Sequence, residues 1–278
     1  MTVENKGWEF ILSTRNRIGD FTLNANANFA INNNKIVDLA GTSDVILGND
    51  IDPRYIQGLG YSINGFWGYQ TAGLYQSDAE AAADPTFMRP AKAGDVKIVD
   101  RNGDGAIDSK DMTFLGNSIP KYNFGGNINA GWKSFQLNVF LQGTAGVKMR
   151  IARALGEAGN YEGFTPDIYT DNYWTPEHTD ARFARPTKND LRNQASTDRM
   201  LVDASYLRVK NVQLVYNLPT TLLQRAGIQN ASISLSATNL LTFSVLYKDW
   251  HLDPESSSGW QNYYPQTRMY SLGLNIQL

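Results

Sequence analysis

The sequence contains no cysteine and only two histidines, and just 19% of its residues are charged. Without cysteine there are no disulfides and no thiolate metal site. His178 and His251 stand far apart and in no ligand spacing, which argues against a catalytic zinc centre. No stretch approaches the roughly 20 uninterrupted apolar residues of a membrane helix, so a helical membrane protein is excluded. There is no long run of Lys or Arg, and with a formal net charge of -2 the chain lacks the electrostatic footprint of a nucleic-acid binder. It has no Gly-x-Ser-x-Gly elbow, and the run AGDVKIVD holds no phosphate-binding glycine pattern. The opening MTVENKGWEF has neither the basic start nor the apolar core of a secretory signal. A strand-like alternation already begins near Trp8, so the expectation is a chain that starts partway through a sheet of a larger protein.

What is present points to β-structure. Asparagine, glycine and tyrosine are abundant, and the 10 prolines fall mostly outside the alternating stretches. The segment DFTLNANANFAI puts Phe21, Leu23, Ala25, Ala27, Phe29 and Ile31 on one face and Thr22, Asn24, Asn26, Asn28 and Ala30 on the other. Near the end Tyr270, Leu272, Leu274, Ile276 and Leu278 alternate with Ser271, Gly273, Asn275 and Gln277. One face is greasy, and the other is rich in asparagine, as a hydrated barrel lumen requires. About nine residues is also the length of a tilted strand that crosses the hydrocarbon, so Leu274 is expected to face lipid and Asn275 the lumen.

Roughly seven such strands are expected, near 6–16, 19–32, 121–132, 134–146, 203–218, 231–245 and 265–278. Their connections alternate between short (RIGD, Lys133-Ser134) and long (33–120, 147–202, 246–264). That asymmetry is typical of outer-membrane barrels, with tight periplasmic turns and long outer loops. Pro219 and Thr220 can start a helical turn in the connection 219–230, and Gly227 can end it. The alternation changes phase between Leu207/Val209 and Val212/Leu214/Tyr216, which a β-bulge near Lys210 would reconcile. The fold class is therefore all-β: a fragment of an antiparallel transmembrane β-barrel with long extracellular loops.

Six strings, in order, resemble the C-terminal end of SusC/RagA-like proteins, a TonB-dependent outer-membrane transporter family that imports glycans and peptides. They are INGFWGYQTAGLYQ (63–76), GDVKIVDRNGDGAIDSKDMTFLGNSIPKYNFGGNI (94–128), YLRVKNVQLVYNLP (206–219), ATNLLTF (237–243), DPE (253–255) and YPQTRMYSLGLNIQL (264–278). The resemblance implies a plugged barrel of about 22 strands. Residues 1–278 would be its C-terminal part, with the plug domain, signal peptide and earlier strands absent. It also implies a surface lipoprotein of the SusD type on the outer face, energy from the TonB complex through the missing N-terminal regions, an oligosaccharide or peptide substrate, contact with outer-membrane lipid, and no enzymatic activity. One departure is Leu278, where barrels often end in an aromatic residue.

The sharpest local motif is DRNGDGAIDSKD. Asp100, Asn102, Asp104, the carbonyl of Ala106, Asp108 and Asp111 have the spacing of a calcium loop, with Gly105 at the sharp turn and Asp111 in place of the usual Glu. The same residues could form a metal-free Asn-Gly-Asp-Gly turn held by side-chain hydrogen bonds. Trp67, Tyr69, Tyr75, Trp174, Trp250, Trp260, Tyr263 and Tyr264 gather in the expected outer loops. Of these, Trp67, Trp174, Trp250 and Trp260 are candidates for binding sugar faces, against the plainer expectation of girdle or loop packing. The pairs Asp78/Glu80 and Asp253/Glu255 could be a glycosidase acid and nucleophile, but their turn-like settings favour solvated carboxylates or caps. A rival reading is a secreted β-sandwich binding module in which the calcium loop stabilises a carbohydrate-recognition face. The greasy face would then pack on a second sheet.

Overall fold

The computed structural model describes residues 1–41, 45–47, 54–151, 167–187, 190–224, 227–256 and 266–277. Seven long strands form one antiparallel sheet: β1 (Thr2–Ile18), β2 (Phe21–Asp38), β9 (Tyr122–Trp132), β10 (Phe135–Ala145), β13 (Tyr206–Asn217), β14 (Asn230–Phe243) and β15 (Met269–Gln277). Each strand pairs with the next long strand in sequence order, so β1 and β15 are the two edges of an open sheet. All seven expected strands are present, and the first two run beyond their expected ends.

The register joins the alternation of each strand into two continuous faces. Leu23, Ala130, Leu137, Leu214, Leu235 and Leu272 lie in one row across six strands. One step away, Asn24, Asn129, Asn138, Gln213, Ser236 and Ser271 form the matching row of the opposite face. The Asn138 amide donates to Gln213 Oε1 at 3.2 Å within that polar ladder. Aromatic residues mark both ends of the apolar face, with Phe21, Trp132, Phe135 and Tyr216 in one row and Phe10, Phe29 and Phe124 in another. From Tyr122 to Trp132 the chain rises about 33 Å along the strand, or about 25 Å once tilted, the height of an outer-membrane apolar band. Leu235, with a neighbouring strand on each side, is still 56% exposed. Among the described residues no second sheet covers this face, as a β-sandwich would require.

The phase change in β13 is a bulge. Where β10 offers Phe140 and Leu141, β13 offers Val209, Lys210 and Asn211, and Lys210 is left without a partner residue. β14 then spans the same pair with Thr238 to Leu241, and Asn239 takes a left-handed φ of 53°. Asparagine tolerates that conformation better than most side chains. Its amide also donates to the Thr267 carbonyl at 3.1 Å, tying β14 to the segment entering β15.

The tight turns Gly19-Asp20 and Lys133-Ser134 lie at one end of the sheet, with the 218–229 connection and its short helix α2 (Thr220–Leu223). The helical turn expected at Pro219 is thus present, and Gly227 takes a φ of 68° after it. All three long connections lie at the other end and carry structure that alternation did not foretell. The first contains β3 (Val45–Leu47), β4 (Arg54–Gly58), β5 (Gly65–Gly68) and β8 (Thr113–Gly116) in one small sheet, and β6 (Thr71–Leu74) with β7 (Val96–Ile98) in another, along with helix α1 (Asp78–Ala83). The second contributes β11 (Lys148–Arg150), paired with β12 (Leu201–Asp203), and the third contains helix α3 (Val245–Trp250). Tyr69, Leu74, Phe87, Val96, Ile98, Ile107, Met112 and Trp174 make one core of this loop layer, and Met149, Ile151, Val202 and Leu246 a second.

Candidate functional site

The loop layer is welded by charge as well as by apolar packing. Asp95 is fully buried, and its carboxylate accepts from Arg89 Nη1 at 2.7 Å, Arg185 Nε at 2.7 Å, Asn193 Nδ2 at 3.0 Å and the Lys92 N–H at 2.9 Å. Burial pushes this carboxyl up, but those donors together outweigh it and hold its pKa at about 2. Arg89 also pairs with Asp190, so the first and second long connections share one network. Arg192, fully buried beside it, donates to the Phe87 carbonyl at 3.1 Å and the Tyr75 hydroxyl at 3.3 Å. The backbones join too, since the Tyr69 N–H donates to Ser196 O at 2.8 Å and the Asp198 N–H to Tyr69 O at 3.0 Å, and the Thr71 hydroxyl donates to Asp198 Oδ1 at 2.7 Å. Arg182 Nη1 reaches Asp249 Oδ2 of the third connection at 3.1 Å.

A second network ties the third connection to the sheet. Arg208 Nη2 donates to Asp253 Oδ2 at 2.8 Å, Arg208 Nε to Thr242 Oγ1 at 2.9 Å, and Lys210 Nζ to Glu255 Oε2 at 2.6 Å. Tyr206 adds a 3.0 Å bond to Glu255 Oε1. The strings YLRVK and DPE, distant in sequence, are therefore two halves of one contact. Of the expectation that Asp253 and Glu255 are solvated carboxylates or caps, the solvated part is corrected, because both are ion-paired and Asp253 is buried, while Asp253 Oδ1 does accept the Glu255 N–H at 2.8 Å as a cap does. Asp78 and Glu80 do act as local tethers: Asp78 accepts the Ala93 N–H, and Glu80 the Gln76 N–H while pairing with Lys97.

In the loop 100–111 the side-chain oxygens turn onto the backbone. Asp100 accepts from the Gly103 and Gly105 N–H groups at 2.7 and 2.8 Å, Asn102 from Asp104 N–H at 2.9 Å, and Asp104 from Ala106 N–H at 3.0 Å. Asp108 caps a single 3-10 turn, and buried Asp111 accepts from Arg101, Asn102 and Asp108. Burial works against ionisation of Asp111, but these N–H donors prevail and lower its pKa. Among the described residues no three of Asp, Glu and His draw together as a metal site would need. In this arrangement the loop is the hydrogen-bonded turn.

The three candidate tryptophans among the described residues do not share one surface. Trp174 is buried, with its ring against the position a Cβ on Gly94 would occupy, which leaves glycine as the residue that fits there. Trp67 packs on the same core and meets Tyr61 edge-on at 5.8 Å. Trp250 packs on the second core, where the Phe183 ring meets it edge-on and the Arg182 guanidinium lies 5.3 Å from its centroid. Trp260, Tyr263, Tyr264 and Leu278 lie outside the described residues. A pocket of about 210 Å³ opens beside Trp250, lined by Arg182, Arg185, Arg199, Asn193 and Thr187 among others. Sequence reasoning did not single out this arginine group, and no local spacing could have done so.

Two TonB-dependent receptors of Formosa agariphila, P26 and P3, are 32% and 30% identical to the chain over 99% of its length. The chain corresponds to a portion of a SusC/RagA-type TonB-dependent receptor. It spans 29% of the length of each of those two relatives. The TonB-dependent receptor SusC of Bacteroides thetaiotaomicron is 24% identical over 99% of the chain, which spans 26% of that protein. Among solved structures, one of the RagAB peptide transporter matches with a TM-score of 0.75 at 24% identity, over 99% of this chain and 29% of that one. A structure of the RagAB peptide importer in a closed-closed state matches with a TM-score of 0.74 at 23% identity, over the same shares. No family model matches the chain. The family comprises outer-membrane transporters and not enzymes. The apolar face of the seven-stranded sheet is therefore the lipid face, and the Asn/Gln/Ser ladder faces the lumen.

Proposed function

We propose that the protein to which this chain belongs imports a glycan or a peptide across the outer membrane, through a plugged barrel whose wall includes this sheet and with energy from the TonB complex. The observation that carries the reading is the match of 99% of the chain to TonB-dependent receptors, supported by a sheet with one lipid-type face and one hydrated face. The three long connections would form part of the outer end, where a SusD-like surface lipoprotein would cap the barrel. The pairing in the RagAB transporter supports that partner. The plug and the remaining strands would come from other parts of the parent protein. Calcium in the loop 100–111 would stiffen this outer layer, a role supported by the oxygen spacing.

Uptake of labelled oligosaccharides and peptides by cells carrying or lacking the parent gene tests the proposal. Uptake should require the gene and stop when TonB is depleted. Uptake that continues unchanged without TonB would overturn it.

A further inference from the structure

Arg182, Arg185 and Arg199 all line the pocket beside Trp250, and their carboxylate partners do not balance them. Arg182 pairs with Asp249, while Arg185 spends its Nε on Asp95, an acid it shares with Arg89. Arg199 donates to the Arg182 carbonyl and has no carboxylate within ion-pair distance among the described residues. Trp250 lines the same pocket, and its Nε1 is buried without an acceptor among the described residues. The carboxylate of neighbouring Asp198 acts on Arg199 only through space, being hydrogen-bonded to Thr71; a partly desolvated guanidinium without a direct ion pair is costly, and its planar fork matches a carboxylate. The remaining lining includes Asn193, Thr187 and the Phe183 ring. Amides, a hydroxyl and aromatic rings suit the mixed polar and apolar surface of a sugar better than an extended peptide, which is bound chiefly through a strand edge.

We propose that this pocket binds the carboxylate of an acidic sugar, with Arg199 as its principal cation and Trp250 Nε1 as a neutral donor. The proposal rests on the transport reading and adds to it a preference for uronate-bearing oligosaccharides.

Titration calorimetry on the full-length receptor in detergent, with trigalacturonate and its neutral counterpart galactotriose, tests it. The acidic trimer should bind at least tenfold tighter, and added salt should narrow the gap. Arg199→Gln should remove most of that difference and Arg199→Lys should restore part of it. Trp250→Phe, which keeps a ring and loses the donor, should weaken the acidic trimer a few-fold with the melting temperature unchanged. Equal affinities for the two trimers, absence of binding, or variants that bind like the parent protein would overturn the proposal. So would selective binding of a free tripeptide over its C-terminal amide when trigalacturonate does not bind. Uptake of the same labelled trimers separates the two readings. Cells that import both equally keep transport and lose the pocket's role, whereas import of neither, with acid-selective binding intact, counts against transport alone.

Discussion

Arg208 on β13 and Asp253, 45 residues further along the chain, meet through a 2.8 Å bond from Nη2 to Oδ2 with almost no contact with water. Lys210 reaches Glu255 from the same stretch of strand. In an uninterrupted strand, residues 208 and 210 would share a face with Val212 and Leu214. The extra residue at the bulge changes the phase, so the lower half of β13 can turn Val212 and Leu214 to lipid while its upper half turns Arg208 and Lys210 to the DPE segment. The bulge thus serves the loop anchor as well as the barrel wall.

Arg208→Ala should leave the buried Asp253 carboxylate without its cation, a loss of about 3–5 kcal/mol to the anchored segment. The expected result in the full-length receptor is new protease cleavage within 245–256, with the barrel itself still folded by heat-modifiable gel mobility. Cleavage unchanged from the parent protein would show that the ion pair does not hold this segment.

The sheet was legible in the sequence because a strand with one wet and one greasy face writes its period into every second residue. The bulge was legible for the same reason, as a break in that period. The loop layer was not. Asp95 and Arg185 are 90 residues apart, and Arg89 and Asp190 are 101 apart, so no local pattern joins them. Acids in turn-like settings read as solvated, and only the fold places Arg208 beside Asp253. Trp67, Trp174 and Trp250 lie in the long connections, but sequence could not distinguish buried Trp174 from pocket-lining Trp250.

The face assignment yields a contrast on β14. Leu235 lies between Leu214 and Leu272, and Ser236 between Gln213 and Ser271. Leu235→Arg should destabilise the full-length barrel by roughly 2–4 kcal/mol if the residue lies at the midplane, whereas Ser236→Arg should be tolerated in the hydrated lumen. Folding of both variants into bilayers under urea measures the difference. Equal shifts would mean that the two faces are not distinct, and the opposite contrast would mean that they are reversed.

Acid should loosen the outer layer before the barrel. The folded pKa of Asp95 is depressed to about 2 from an ordinary carboxylate value near 3.8, and that of Asp111 is lowered as well. A carboxyl depressed on folding contributes stability that is complete above its unfolded pKa and lost as pH falls through the folded one. Protection from hydrogen exchange, relative to the intrinsic rate at each pH, should therefore be unchanged in 89–111 and 190–195 between pH 7 and 5 and should fall from pH 4 down to about 2. Asp95→Asn should raise exchange already at pH 7. A pH-independent profile would remove the Asp95 network from the account of loop order.

The loop 100–111 can close with or without a metal ion, and the two cases differ in one observable. As a hydrogen-bonded turn, its oxygens already accept the N–H groups of Gly103, Asp104, Gly105 and Ala106. Yet Asp104 and Asp108 are partly exposed, and Lys110 Nζ is the cation within 4.0 Å of them among the described residues, at 4.0 and 3.6 Å. A divalent ion with oxygen ligands there would neutralise part of that negative charge while fixing the turn. Because such an ion binds the ordered loop and not the opened one, it should shift the balance toward order in proportion to its concentration. Limited proteolysis of the full-length receptor in calcium, magnesium and chelator reads this directly. Calcium alone should protect the chain near Asp104, Asp104→Ala should abolish that protection, and Asp108→Ala should weaken it less. Asp111→Ala should open the loop in every condition, because its three N–H contacts do not depend on metal. Identical cleavage of the parent protein in all three conditions would leave the turn as a purely hydrogen-bonded one.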